Sequence, residues 1–261
     1  VGADGSASRV ARYVGVECAQ VDLALEAEVP VGERTAGRWQ GRLLMEWGPL
    51  PGSFGWIFPK GDVCTAGVVA ARGNPAALRA YKEDFLGRHG LLGPRPLHDT
   101  GHLTRCRRPG SPLARGRVLV AGDAAALLDH WSREGISYAL RSGDMAGRAA
   151  VRVAATDAEQ AAAATRDYGR RIDETLGVEM RASGALMRLF FRTPGLAHTA
   201  LTRLPWAWHH LDAYIAGHTT VAGIMATPLG RTATALASRL PVPSPRTAEG
   251  EPVRSSPAGQ P

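Results

Sequence analysis

The sequence predicts an α/β (α+β) protein, with an antiparallel sheet in its first part and a helical C-terminal part. Three observations carry this. Between residues 13 and 75, short runs of alternating apolar character (GVECAQVDLALEAEV, GRLLMEWG, FGWIFP and VCTAGVVAA) are divided by Gly and Pro, the pattern of antiparallel strands. Residues 117–121, RVLVA, form a compact apolar run that leads into Gly122-Asp123, a strand entering a turn. From Asp157 to Leu240 the pattern is mostly helical, with Leu176, Met180, Met187 and Phe191 spaced for one face and Pro194 and Pro205 as breaks.

The elements follow in chain order. Residues 1–15 read as a strand end, a Gly-rich turn and a short helix capped by Ser6 or Ser8. Residues 16–105 hold the antiparallel sheet and one helix, opened by Asn74-Pro75 and closed by Gly90. A loop rich in Gly, Pro and Arg is expected from there to about Arg115. Residues 106–155 carry the apolar strand, a polar loop and a long helix that begins at Glu134-Gly135-Ile136. The helical region spans 156–240. A tail, 241–261, holds six prolines and no aromatic residue and is expected to be disordered.

Composition narrows the class. The chain has 261 residues, 44% of them apolar, enough for a sizeable core. The net charge of +7 comes almost wholly from arginine, since Lys60 and Lys82 are the only lysines. Arginine spread this evenly in an Ala- and Gly-rich chain reads as composition bias, so no nucleic-acid partner is expected. No run of 18 apolar residues predicts a membrane span. Cys18, Cys64 and Cys106 are too few and scattered for a disulfide framework or a metal site, which suits a reducing, cytoplasmic setting. His209 and His210 beside Trp206 and Trp208 read as a helix surface, and Cys64 as a buried structural thiol. Arg105, Arg107 and Arg108 read as a solvated basic loop. The chain opens on Val-Gly-Ala-Asp-Gly, as though on a strand already in progress, and an N-terminal truncation is expected.

Three segments carry chemistry. In GADG, residues 2–5, two glycines flank Asp4 ahead of a helix, a turn that lets backbone approach an anion closely. In GDAA, residues 122–125, a strand delivers Asp123 at its carboxyl end, where such sheets bind ligands and where a carboxylate can accept from a sugar or ribityl hydroxyl. The helix start at Glu134-Gly135-Ile136 offers free N–H groups and a positive dipole end to a developing anion, such as that of a reduced flavin. In FGWIFP, Phe54, Trp56 and Phe58 alternate and so share one face of a strand that Pro59 ends. They can pack a core or line an apolar tunnel, with Gly67 on the return strand leaving room beside an apolar ligand.

Taken together these segments resemble the FAD-dependent geranylgeranyl reductases, in the para-hydroxybenzoate hydroxylase-like superfamily of flavoproteins. GADGSASRVAR is similar to the superfamily's DG motif, and RVLVAGDAAALLDHWSREGISYALRSGDMA to its GD motif. FGWIFP, seven residues, then GVV resembles the reductases' substrate motif. The match departs from the family at Phe54 (Tyr there), at Val69 (Gly), and at Ala126, His130 and Arg133 (Gly, Pro and Gly). No GxGxxG turn, the holder of the FAD pyrophosphate, is present.

The resemblance implies a partial FAD/NAD(P)-binding domain made of residues 1–15 and 106–155, with 16–105 as a substrate-binding sheet. It implies FAD held by Asp4, Gly5, Gly122, Asp123, Ala124, Ala125, Glu134, Gly135 and Ile136. A prenyl (isoprenoid) substrate would lie against Phe54, Trp56, Phe58, Pro59 and Gly67, with NAD(P)H or another reductant supplying electrons. A prenyl substrate also implies peripheral contact with a membrane. The implied reaction is reduction of carbon–carbon double bonds; the alternatives are a flavin monooxygenase of the same superfamily and a non-catalytic fragment. No catalytic proton donor is apparent in the sequence.

Overall fold

The computed structural model describes residues 1–239; the tail expected at 241–261 lies outside the described residues. The chain opens with helix α1 (Arg9–Val14), capped by Ser8, whose Oγ accepts from the Ala11 N–H at 2.7 Å. Strand β1 (Cys18–Pro30), helix α2 (Glu33–Trp39), strands β2 (Leu44–Trp47), β3 (Phe54–Pro59) and β4 (Val63–Ala71), helix α3 (Pro75–Arg88) and strand β5 (His98–Arg107) follow. The five strands form one antiparallel sheet in the order β2-β3-β4-β1-β5.

Two of these elements differ from the sequence expectation. Helix α2 is short and holds Gly37, so no helical periodicity announces it. Strand β5 occupies the stretch expected to be a loop. It is an edge strand whose first five residues are all exposed, so polar residues such as His98, Asp99 and Thr100 replace the alternation that marks a covered strand.

The two faces of the sheet have different tasks. On one face Ala27, Val29, Ile57, Cys64, Ala66, Val68 and Ala70 pack against Leu78, Tyr81, Phe85 and Leu86 of α3 and Trp39 of α2. Cys64 is fully buried there, and burial pushes its thiol pKa up. On the other face Ala24, Phe54, Trp56 and Val69 form a separate cluster.

A two-stranded ribbon, β6 (Ala114–Arg115) and β7 (Val118–Leu119), stands where the RVLVA strand is expected. Gly2 extends it in parallel: its N–H donates to the Leu119 carbonyl at 2.7 Å, and the Ala121 N–H donates to the Gly2 carbonyl at 3.0 Å. The N-terminal turn and the Gly-Asp turn are therefore adjacent. A 3₁₀ turn (Gly122–Ala125) leads through a loop into α4 (Ile136–Ala154), as expected from Glu134-Gly135-Ile136.

Helices α5 (Ala158–Glu174), α6 (Leu176–Arg192), α7 (Pro194–Arg203), α8 (Pro205–Ile215), α9 (Val221–Met225) and α10 (Pro228–Arg239) complete the described chain. Leu176 and Met180 of α6 join Tyr168, Ile172, Ala146 and Leu119 in a second core. Met187 is also buried, but Phe191 is not on the buried face as its spacing suggests. Phe190 is the buried ring, while Phe191 is half exposed and lies over Gly52. No helix among the described residues is long and apolar enough to cross a membrane.

Candidate active site

A cavity of about 890 Å³ opens on the face of the sheet away from α3. Phe54, Trp56 and Phe58 form one wall with Met45, Ala24 and Val69, and Gly135, Ile136 and Tyr138 at the start of α4 form another. The structure thus brings together the aromatic stripe and the helix start that the sequence singles out 76 residues apart (Phe58 to Glu134). A volume of this size suits a substantial organic ligand in an apolar setting.

Alternation decides the orientation of the stripe. Ile57 points to the α3 core and is fully buried, so its neighbours Trp56 and Phe58 point to the cavity. Gly67, opposite Trp56 in the ladder, does not leave space for a ligand. A Cβ there would lie 2.3 Å from Trp56 Cζ2, so the glycine makes room for the indole itself. Pro59 ends β3 as expected, opposite Cys64, but does not line the cavity.

A second, smaller cavity of about 340 Å³ lies between the N-terminal turn and the Gly-Asp turn. Ser6, Ser8 and Arg12 line one side, Asp123, Ala124 and Ala126 the other, and Cys18 and Arg105 its base. Burial raises the Asp123 carboxyl above the ordinary range, partly offset by His102. Its Oδ1 also lies 3.4 Å from where a Gly135 Cβ would be, which places the carboxylate beside the start of α4. The buried Arg105 Nε has no partner. Gly122 adopts the left-handed region at φ +56° and its N–H donates to Ser142 Oγ at 2.9 Å.

Other expected ligands have structural duties. Asp4 is exposed, and its carboxylate accepts from Ser8 Oγ and from the Arg9 N–H, completing the cap of α1; Gly5 supplies the positive φ of that turn. Ala125 packs into the second core. The Glu134 carboxylate accepts from the Ser137 N–H at 2.6 Å and from Ser137 Oγ at 2.7 Å. It therefore caps α4 with its own negative charge, while Glu134, Gly135 and Ile136 all line the large cavity.

The loop between these points has an unusual backbone. Ala126 and Arg133 are the two non-glycine residues of positive φ among the described residues, at +54° and +63°. These are two of the positions where the resembled family carries Gly. The Arg133 side chain is buried against Asp22, with Nε 2.6 Å from Oδ2. Burial raises the Asp22 carboxyl, and Arg133 opposes that shift. His130 is held neutral by burial, its pKa lowered to about 4.

Sequence reasoning missed one cluster. Asp129, buried under the loop, accepts at Oδ1 from the Trp131 N–H (2.9 Å), the Ser132 N–H (2.7 Å) and Ser132 Oγ (2.9 Å). Tyr214 of α8 donates to Ser132 Oγ at 3.2 Å. Asp129, Ser132 and Tyr214 all line the large cavity. The Asp-x-x-Ser spacing could have signalled the turn, but nothing marked Tyr214, 82 residues away. Among the described residues no group of three or more His, Cys, Asp or Glu is placed to hold a metal ion. His210 instead pairs through Nδ1 with the Trp206 carbonyl at 2.9 Å.

The residues present fit a flavin. A cleft with an unpartnered buried arginine nitrogen and a carboxylate acceptor leads to free helix N–H groups at the edge of an apolar cavity.

No family model matches the chain. It is 27% identical over 202 residues to a chloroplastic geranylgeranyl diphosphate reductase of Oryza sativa, covering 74% of this chain and 42% of the relative. It is 24% identical over 216 residues to digeranylgeranylglycerophospholipid reductase 3 of Methanosphaera stadtmanae, covering 74% and 50%. An uncharacterised protein of Methanosarcina barkeri is 30% identical over 152 residues, covering 56% and 37%. The chain thus spans half or less of the length of these relatives.

Among solved structures, a geranylgeranyl bacteriochlorophyll reductase-like protein from Thermoplasma acidophilum superposes with a TM-score of 0.58 at 20% identity, covering 71% of this chain and 49% of its own. A flavin-dependent brominase superposes with a TM-score of 0.62 at 19% identity, covering 90% and 60%. The fold is shared with both. By sequence the chain is similar to geranylgeranyl reductases over part of their length, and its fold is that of a geranylgeranyl bacteriochlorophyll reductase-like protein and a flavin-dependent brominase.

Proposed function

We propose that this chain supplies the substrate cavity and one wall of the FAD site of an enzyme that reduces carbon–carbon double bonds of a prenyl chain. The observation that carries the reading is the single cavity in which Phe54, Trp56 and Phe58 face the Gly135–Ile136 helix start. FAD, once bound, supplies the hydride chemistry, with NAD(P)H or another reductant behind it.

The chain's own residues bind, orient and exclude water. Asp123 would accept from a ribityl hydroxyl, Arg105 and Arg12, which line the same cleft, would pair with the cofactor's phosphates, and the Gly135 and Ile136 N–H groups would stabilise negative charge on the reduced ring. An isolated alkene offers no carbonyl to polarise, so alignment against the aromatic wall does much of the work. Trp56 is fixed by its seat on Gly67 and presents a rigid surface. Exposed Leu196 on α7, Leu204 between the helices, and Trp206, Trp208 and Ile215 on α8 support delivery of such a substrate from a membrane surface.

The test is anaerobic. Flavin-loaded protein, reduced chemically, is mixed with a geranylgeranyl compound, and flavin reoxidation is followed with the product's mass. Reoxidation with a gain of two hydrogens per bond supports the reading. Reoxidation only on admitting oxygen, with an oxygenated product, would favour the monooxygenase instead.

A further inference from the structure

We propose that Tyr214 is the proton donor for this reduction, with Ser132 and Asp129 as the residues that position it. The inference rests on the alkene-reductase reading above and adds a role that the sequence did not reveal. Saturating a double bond requires a hydride on one carbon and a proton on the other. The reduced flavin provides the first. The second must come from water or from an acid in the cavity.

Tyr214 is placed for it. Helix α8 carries the side chain into the large cavity, with its ring 5.8 Å from that of Trp131. The hydroxyl donates to Ser132 Oγ, which donates to Asp129. The groups acting on Tyr214 are Asp129, Ser132, Glu134 and Glu179, from the loop, the α4 start and α6. Burial and these three carboxylates push its pKa up to about 12, so it carries its proton at neutral pH.

That environment makes Tyr214 a weak acid at rest but favours the reaction. Proton transfer to an isolated alkene builds positive charge on the other carbon. The carboxylates that oppose a phenolate attract that charge, and the Trp56 and Phe54 faces stabilise it further. As the O–H bond breaks, its proton forms a C–H bond with the alkene's π electrons, and the hydride closes the second carbon.

The phenolate left behind has a ready donor. Ser132 can turn its O–H from Asp129 to Tyr214 at low cost, because Asp129 keeps two backbone N–H groups on the same oxygen. Water restores the tyrosine proton when product leaves.

Tyr214→Phe removes one oxygen and one hydrogen bond and leaves the ring in place. In the anaerobic assay it should slow reoxidation by a geranylgeranyl compound by roughly 100-fold or more, while ferricyanide, which needs no proton on carbon, reoxidises both proteins equally. Ser132→Ala should slow the alkene reaction less. A second readout needs no flavin: with ¹³Cζ-labelled tyrosine, the Tyr214 signal should titrate above free tyrosine in the wild type and closer to it in Asp129→Asn. Equal alkene rates for wild type and Tyr214→Phe, with the alkene reduced by both, would overturn the role while sparing the reductase reading. A wild type that loads flavin but never passes hydrogen to the alkene would remove that reading and the role together. A Tyr214 signal indifferent to Asp129→Asn would overturn the positioning network.

Discussion

The seat of Trp56 on Gly67 can be tested quantitatively. A Cβ on residue 67 would lie 2.3, 2.7 and 2.8 Å from Cζ2, Cε2 and Cη2 of the indole, all inside van der Waals contact. An indole is rigid, and the β4 backbone lies behind the new methyl, so the ring must move into the cavity. Overpacking of this kind costs ~1–3 kcal/mol. Trp56→Ala removes the ring instead. Full burial would make that loss ~3–5 kcal/mol, and the lower end is expected here because one side of the ring borders a cavity. The two changes should not add. In a Trp56→Ala background nothing remains for the methyl to strike, so Gly67→Ala should be neutral or slightly stabilising, as the alanine restricts the unfolded chain. The coupling should be at least ~1 kcal/mol, read from urea unfolding of the four proteins of the cycle. Equal costs for Gly67→Ala in both backgrounds would refute the contact. Gly67→Ala should also weaken binding of a prenyl chain, since the displaced ring takes up cavity space.

Other consequences can be measured directly. Asp123→Ala should lower flavin retention after dialysis by the worth of a charge-assisted hydrogen bond, ~1.5–3 kcal/mol, with little change in Tm. Arg133→Gly relieves a left-handed backbone worth ~1–2 kcal/mol but leaves the buried Asp22 without its cation, with Gln20 as its remaining side-chain donor, at a cost of ~3–5, so a net loss of about 1–4 kcal/mol is expected at neutral pH. Asp22 has its folded pKa raised, so the penalty of its charge is absent below its unfolded pKa and grows as pH rises through its folded pKa; the variant's deficit should shrink on acidification, as thermal melts across that range would show. Asp167 has the opposite sign. Arg152, Arg170 and Arg171 hold its pKa down to about 2, so its contribution is present above the ordinary carboxyl range and fades as pH falls through that value. Asp167→Asn should flatten that acid limb of the stability profile.

Much of this architecture was legible locally. Strands β1 to β4, helix α3 and the start of α4 follow from alternation, turn residues and caps, which act over a few positions. Strand β5 and helix α2 were not legible, because an edge strand with a polar outer surface and a two-turn helix containing glycine lack periodic signals. The site divides the same way. The aromatic stripe and the helix start at 134–136 could be read because each sits within one element. The seat of Trp56 on Gly67 depends on the register between two strands, and a glycine suggests space without saying what fills it. At Asp4 and Glu134 the sequence does not separate capping from anion binding, because both draw on the same residue types at helix starts. Tyr214 could not be read at all, since its partnership with Ser132 exists only after the five helices α4 to α8 have been placed.

The two-faced sheet has a consequence for how this protein can change. On β3 the even-numbered positions 54, 56 and 58 meet the cavity, while Gly55 and Ile57 meet the α3 layer; on β4 the odd positions 67 and 69 take the cavity side. Residue parity therefore separates what the protein holds from what keeps it folded. Two neighbours in sequence can be under unrelated selection, one free to drift with the ligand and the next fixed by Phe85. A library confined to positions 24, 45, 54, 58 and 69 would explore new cavity shapes while leaving the supporting layer intact, so diversity in this chain should accumulate at every second residue.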